Sequence, residues 1–279
     1  MLKRSLLSCA LLATLPAQAT EVPRWELGAG LGGVRLPDYR GSDESRNYLL
    51  PFPYFAYRLD WLKADRNGVR ARLFDLDRTE LNFSVGATPP VRSSKNRARE
   101  GMPDLKPMLE FGPSLDVNLW RSAGDSYRLD LRMPLRGAIE ARSNPRAAGW
   151  TFSPRVNLDI AGLGHADGSK DGWRLGLLAG PLFADSRQNR YFYSVSESQA
   201  RADRPAYRAS GGYSGMQFLA SVSRQFGDVW FGAYARWDSL HGAVFEDSPL
   251  VRRTSYLTAG FGLTWTFARS SEMVTIDDD

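Results

Sequence analysis

The chain has one cysteine, two histidines and no run of eighteen apolar residues. The last absence excludes a membrane-spanning helix, which needs about 20 consecutive apolar residues. The cysteine, Cys9, lies in an amino-terminal stretch, MLKRSLLSCALLATLPAQA. This stretch has a basic start at Lys3 and Arg4, an apolar run from Leu6 to Leu15, and a small-x-small close at Ala17, Gln18 and Ala19. These are the parts of a secretory signal peptide, residues 1–19, cut after Ala19. A competing lipoprotein box at Leu6-Leu7-Ser8-Cys9 leaves only four residues between Arg4 and Cys9, too few for a hydrophobic segment ahead of the cut. With the signal peptide goes the only thiol, so the mature chain has no disulfide and no cysteine-based metal site.

Charge of one sign is scarce too. The formal net charge of +5 falls to +3 once Lys3 and Arg4 are removed, and the excess is spread along the chain rather than clustered. Nothing here calls for a nucleic-acid partner. The mean hydropathy is −0.37. A barrel whose strands alternate lipid-facing and lumen-facing residues averages out in this way, so low overall hydrophobicity does not exclude a membrane.

What the sequence has in abundance is a period of two. From Leu109 to Leu119 the odd positions are Leu109, Phe111, Pro113, Leu115, Val117 and Leu119, and every even position is polar or glycine. Tyr127, Leu129, Leu131, Met133 and Leu135 alternate with Arg128, Asp130, Arg132, Pro134 and Arg136, and the stretch from Trp150 to Ile160 repeats the pattern. In YLTAGFGLTWTF, residues 256–267, Leu257 to Phe267 are apolar at every second position. Such alternation predicts strands with one oily face.

Applied along the chain, the rule gives twelve strands: 25–34, 47–58, 79–88, 109–119, 127–135, 150–160, 172–183, 214–226, 228–239, 256–267, and two short ones flanking the Asn67-Gly68 hairpin signal between Asp60 and Asp75. The segment 47–58 is apolar on both faces and holds Pro51 and Pro53, each of which removes a ladder donor. Connections alternate between short ones and mostly longer ones at 35–46, 89–106, 138–148, 184–213 and 240–255. An even strand count with short turns on one side and long loops on the other predicts an all-β fold. It is a transmembrane antiparallel up-and-down β-barrel of about 12 strands, with long extracellular loops and short periplasmic turns.

A soluble sandwich or lipocalin-like barrel also alternates. Strands of ten or more residues favour the membrane, since about 9 to 11 cross a bilayer at a tilt whereas globular strands average about 5 to 6. Trp25, Trp120, Tyr127, Trp150, Trp173, Trp237 and Trp265 recur at expected strand ends, as in an interfacial girdle. The barrel then spans residues 20–267, with a lipid-facing outer surface in the outer membrane of a Gram-negative bacterium. Residues 268–279 form an acidic tail ending in Asp277-Asp278-Asp279, expected to be disordered on the periplasmic side and to have no partner in the sheet.

Three stretches go beyond a generic barrel: LPDYRGSDESRNYLLPFPYFAY from Leu36, NRYFYSVSESQARADRPAYRASGGYSG from Asn189, and FEDSPLVRR from Phe245. With the closing GFGLTWTF they resemble the MipA/OmpV family of outer-membrane proteins over essentially the whole mature chain. The carriers of the resemblance are the Tyr39-Arg40-Gly41-Ser42 turn and the Asp247-Ser248-Pro249-Leu250 segment. The resemblance implies a non-enzymatic scaffold that links a murein hydrolase to a murein synthase, and it brings no catalytic motif and no cofactor. Phe267 is similar to the terminal aromatic that barrel-assembly machinery recognises. The family's usual chain ends at or next to that aromatic, so the twelve residues beyond it are a departure.

Two other readings stay open. A lipid hydrolase needs a serine activated by a histidine; His165 lies in a turn, and His241 lies two residues from Ser239 in a long loop. No metal-ligand spacing is found, since HADGSKDG lacks the acidic spacing and closing glutamate of a calcium loop. A small-solute pore is the other alternative. Alternation places Arg70, Arg72, Arg128, Arg132, Arg136, Arg155, Arg174, Arg224 and Arg236 in the lumen, opposed by Glu26, Glu80, Glu110, Asp116, Asp130, Asp159 and Asp238. Among these, Arg128, Arg132, Arg155, Glu110 and Asp130 are the candidate lumen residues.

Overall fold

A computed structural model describes residues 20–276 except 59–61, 66–67, 72–74, 77, 125 and 165–171. The signal peptide, Arg72, His165 and the tip of the Asn67-Gly68 hairpin lie wholly or partly outside the described residues.

The apolar period becomes one large antiparallel sheet, with a separate two-stranded ribbon formed by the first and last strands. In chain order the strands are β1 (Thr20–Pro23), β2 (Trp25–Pro37), β3 (Ser45–Arg58), β4 (Leu62–Asp65), β5 (Gly68–Ala71), β6 (Asp75–Leu76), β7 (Thr79–Thr88) and β8 (Met108–Arg121). Then follow β9 (Tyr127–Glu140), β10 (Arg146–Phe152), β11 (Arg155–Leu163), β12 (Trp173–Ala184), β13 (Gly212–Phe226), β14 (Val229–Ser239), β15 (Ser255–Arg269) and β16 (Met273–Ile276). Among the described residues one α-helix, α1 (Ser186–Tyr193), sits in the connection after β12.

Each long strand pairs with its neighbours in sequence, and the last long strand, β15, returns to pair with β2. Strands β10 and β11 are two halves of one crossing, since both pair with β9 and β12 and only Ser153 and Pro154 part them. β5 pairs with β4, while β6, which follows three residues later, pairs with β7. The two ends of the sheet, β5 and β6, are thus successive in the chain, and the twelve expected strands are present, β4 and β5 with four residues each. Closure removes the sheet edges that a bilayer would leave unsatisfied. Pro51 and Pro53 lie in a part of β3 that pairs with β2 alone, since β4 reaches only Tyr57 and Arg58.

The polarity of the wall is inverted relative to a soluble protein. Large apolar side chains point outward, among them Leu49, Val85, Leu109, Leu135, Phe218, Leu257 and Leu263. Asn82, Ser114, Asp130, Asn157, Thr258 and Thr264 are buried inside. Trp150 and Trp237 mark one rim of the oily belt, and Trp120, Tyr127 and Trp265 the other, all on the outer surface. A lipid solvent around the wall and polar groups within account for both sets. Inside, part of the lumen is filled by rings laid on glycine: a side chain at Gly30 would collide with Phe52, and one at Gly232 with Trp230. No described helix is long and apolar enough to cross a membrane.

Three expectations are corrected. β9 and β10 run further than their alternation indicated, which shortens the connection expected at 138–148 to residues 141–145. Arg224 is on the outer surface, not in the lumen. It shares strand parity with Phe218 and Val222, and its guanidinium lies over Trp173 and Phe226 at the short-turn rim. A long side chain can hold its charge at such a rim while its stem covers apolar surface. Finally, the tail has a partner. β16 pairs with β1 in a separate two-stranded ribbon that continues the β2–β15 pair beyond the barrel, with Arg24 donating to Glu272 between them. The last wall strand also passes Phe267, which occupies a bulge opposite the Gly28–Leu27 step, and ends at Arg269.

Candidate functional site

Four long connections emerge at one end of the barrel: residues 38–44, 89–107, 185–211 and 240–254. None carries a period, yet together they bury an apolar core. Tyr39 comes from the first, Val91, Met102 and Leu105 from the second, Tyr193 and Val195 from the third, and Leu240, Phe245 and Leu250 from the fourth. The ring of Phe245 stacks on Tyr193 at 3.7 Å, and Tyr39 meets Tyr193 edge-on. A cap built from loops thus closes over the mouth of the barrel.

The two short motifs singled out in the sequence lie side by side within this cap. The Tyr39 hydroxyl donates to the Leu250 carbonyl at 2.8 Å. The Gly41 carbonyl accepts from the Arg252 and Arg253 amides at 2.7 and 3.0 Å. Gly41 has φ of +90°, and a side chain there would press on Leu240, so both conformation and space call for glycine. Ser42 is buried, and its hydroxyl accepts from the Glu44 amide and from Asn96. The Ser248 hydroxyl donates to the Tyr193 carbonyl at 2.7 Å. Pro249 is half-buried and Asp247 is exposed.

Buried polar side chains knit the remaining loops together. Asn96 donates to Asp38, which also holds Arg46 at 2.6 Å. Arg204 donates to the carbonyls of Ala98, Glu100 and Gln199. Arg99 donates to the Phe192 carbonyl and lies over the Tyr39 ring, and burial lowers its pKa. Burial likewise pushes the phenols of Tyr39 and Tyr193 above their ordinary range. The Asp185 carboxylate caps α1 by accepting from the Gln188 amide, and it accepts from the Trp150 amide as well, fastening the third loop to the wall.

Beneath the cap, Asp238 is fully buried and accepts from Arg40, Gln217 and Arg236. Arg40 also donates to the Ser214 carbonyl and to Tyr256. Burial opposes its charge, but Tyr256 and Asp238 outweigh that and raise its pKa. Next to this network is a cavity of about 360 Å³. Further down the lumen Asp130 binds Arg128 at 2.9 Å and Arg132 at 3.4 Å, while Asp116 and Asp159 lie 3.9 and 3.7 Å from Arg132. Glu110 stands 4.0 Å from Arg136. The candidate lumen residues therefore all face inward, but only Arg128, Asp130 and Arg132 form one cluster; Glu110 and Arg155 line the cavity above.

The role of Arg40, Asn96, Arg99 and Arg204 in holding the cap was not legible in the sequence, where loop arginines look solvated. Arg40 carried the one available signal, its place inside the motif turn. His241 engages Glu246 at 3.2 Å and Thr254 at 3.3 Å rather than the Ser239 hydroxyl, which accepts from the His241 amide. Its ring is exposed at the surface and does not line the cavity beneath the cap.

A closed wall with an oily outer belt, polar interior and loop-built cap defines a membrane-spanning barrel of the outer-membrane type. The chain belongs to the MipA family, described as MltA-interacting protein MipA, whose family model matches residues 29–267. No curated protein matches it significantly. Among solved structures, a bacterial polysaccharide outer membrane secretin aligns over 88% of this chain and 100% of its own, at 10% identity and a TM-score of 0.46. The toluene transporter TbuX of Ralstonia pickettii aligns over 90% of this chain and 70% of its own, at 9% identity and a TM-score of 0.26.

Proposed function

We propose that this protein is a non-enzymatic, non-conducting scaffold in the outer membrane of a Gram-negative bacterium, linking a murein hydrolase to a murein synthase. The family description names an interaction with MltA, which supports a murein enzyme as one partner; the murein synthase belongs to the proposal alone. The cap is the observation that carries the reading: four long loops share one apolar core over the extracellular mouth, as a protein that binds partners rather than passes solutes can sustain. Short turns and the β1–β16 ribbon face the periplasm under this orientation, where murein enzymes work.

A pore conducts by itself, whereas a scaffold needs a partner. Purified protein in planar bilayers is expected to give no stable conductance, and crosslinked pull-down from envelopes to recover murein enzymes. Regular unit steps altered by neutralising Arg132 or Arg155 would promote the small-solute pore instead. A pull-down without any murein enzyme would remove the scaffold reading even if the barrel is silent.

A further inference from the structure

The cavity beneath the cap has no part in a scaffold, and its charges do not balance. Four guanidinium groups reach its wall, those of Arg40, Arg136, Arg155 and Arg236. Asp238 serves both Arg40 and Arg236. Glu110 stands 4.0 Å from Arg136, whose Nε donates to Ser84 instead. Asp38 also lies on the wall, but its carboxylate is taken up by Arg46 and Asn96. At contact distance four cations therefore share two carboxylates, and Asp116 reaches Arg155 only from beyond it.

The surplus is localised. Among the described residues no hydrogen bond or ion pair ends on Arg155, and its Nε is shielded from solvent. Nη2 of Arg40 is shielded and without a partner as well. Gly180, packed on the backbone of Arg155 and facing Gln217 on the next strand, contributes no side chain to this stretch of wall. The Arg155 side chain is half-buried, and the one carboxylate that acts on it, Asp116, does so at a distance and is shared with Arg132; oxyanions are the groups whose geometry a guanidinium matches. Over the same space Phe192, Tyr193 and Phe245 supply apolar rings. The volume falls in the range of about 300 to 1,000 Å³ typical of small-molecule sites, which combine apolar walls with a few placed polar groups.

We propose that this cavity binds a small organic oxyanion, a molecule bearing a carboxylate or phosphate group, held by Arg155 beneath the aromatic roof. The proposal is independent of any murein partner. Its test uses the full mature protein in detergent micelles, titrated calorimetrically with succinate and, separately, inorganic phosphate at constant ionic strength. At least one is expected to bind saturably, with affinity reduced tenfold or more in Arg155→Gln and retained in part by Arg155→Lys. Arg224→Gln, on the outer surface, is expected to leave binding unchanged. The stronger of the two anions identifies the group recognised. Heat signals that rise linearly with anion, or equal affinity in Arg155→Gln and wild type, would overturn the proposal. Should Arg155→Gln fail to fold, the wild-type titrations decide alone: no saturable binding of either anion overturns it.

Discussion

The barrel wall and the cap use the same residue types turned in opposite directions. In β15, Leu257 is 63% exposed while Thr258 beside it is fully buried; a few residues earlier in the chain, Leu240, Phe245 and Leu250 are fully buried and Asp247 is exposed. The change of sense falls between Ser239 and Leu240 on one side and at Thr254–Ser255 on the other, where the strands leave the sheet. The cause is the solvent. Apolar surface on the wall is stable against lipid, and the same surface on a loop in water must be covered by other loops. The comparison therefore locates the membrane boundary on the chain from burial alone.

The strongest way to break the comparison is to remove the centre of the cap. Phe245 is fully buried and stacked on Tyr193, so Phe245→Ala should cost about 3–5 kcal/mol of cap stability. Limited proteolysis is expected to cut the 185–211 loop in this variant, while the barrel keeps its heat-modifiable mobility in gels. Loss of both together would mean that cap and wall fold as one unit. Next in size is the converse change on the wall. Leu263, paired between Phe231 and Leu31 and 44% exposed, faces lipid. Leu263→Arg should cost about 2–4 kcal/mol near the bilayer midplane and lower the yield of folded barrel, with the cap's protease resistance unchanged in what does fold.

How much of each region was legible follows from the same contrast. Leu109 to Leu119 and Tyr127 to Leu135 announced β8 and β9 because a strand between two solvents must alternate. The cap gave no such signal, since its core gathers a few residues from each of four distant loops, and contacts such as Tyr39 to Leu250 span most of the chain. The motif residues were visible as words, but not as two surfaces that dock. Arg224 was misplaced because alternation in 214–226 is less pure than elsewhere; the parity it shares with Phe218, Val222 and Phe226 puts it on the outer face. The Met273–Ile276 strand is four residues long, too short for a period-two test, and its partner Thr20–Pro23 lies at the other end of the described residues.

Alkali provides a graded version of the cap experiment. The folded pKa values of Tyr39 and Tyr193 are raised by burial above the unfolded value of about 10. Their contribution is fully present below about pH 10 and is lost as pH rises through the folded values, by about 1.4 kcal/mol per phenol per unit. Protease resistance of the cap is expected to fall between about pH 10 and 11, with tyrosinate absorbance rising as the cap opens. A smaller, local change is Tyr39→Phe, which leaves the Leu250 carbonyl without its donor. It should cost about 1 kcal/mol. Thermal melts of the cap should register it, and an unchanged melt would show that the two motifs adjoin without depending on each other.

The smallest effect is expected at the ribbon, which belongs to neither region. β1 and β16 form only four residue pairs, Arg24 and Glu272 between ribbon and barrel are largely exposed, and a two-stranded ribbon is marginal in water. Deleting Ser270 to Asp279 removes β16 and leaves β15 complete to Arg269, with its ladders to β14 and β2 untouched. Folded, heat-modifiable barrel should therefore form at the wild-type level, and residues 20–23 should become open to aminopeptidase. Phe267→Ser supplies the contrast within the same few residues. Its ring lies on the outer surface against Trp265 at 5.7 Å, and its loss withdraws interfacial apolar area worth about 1.5–3 kcal/mol. Less folded barrel in the tail deletion than in Phe267→Ser would mean that the ribbon, rather than the aromatic rim, secures the closing pair of strands.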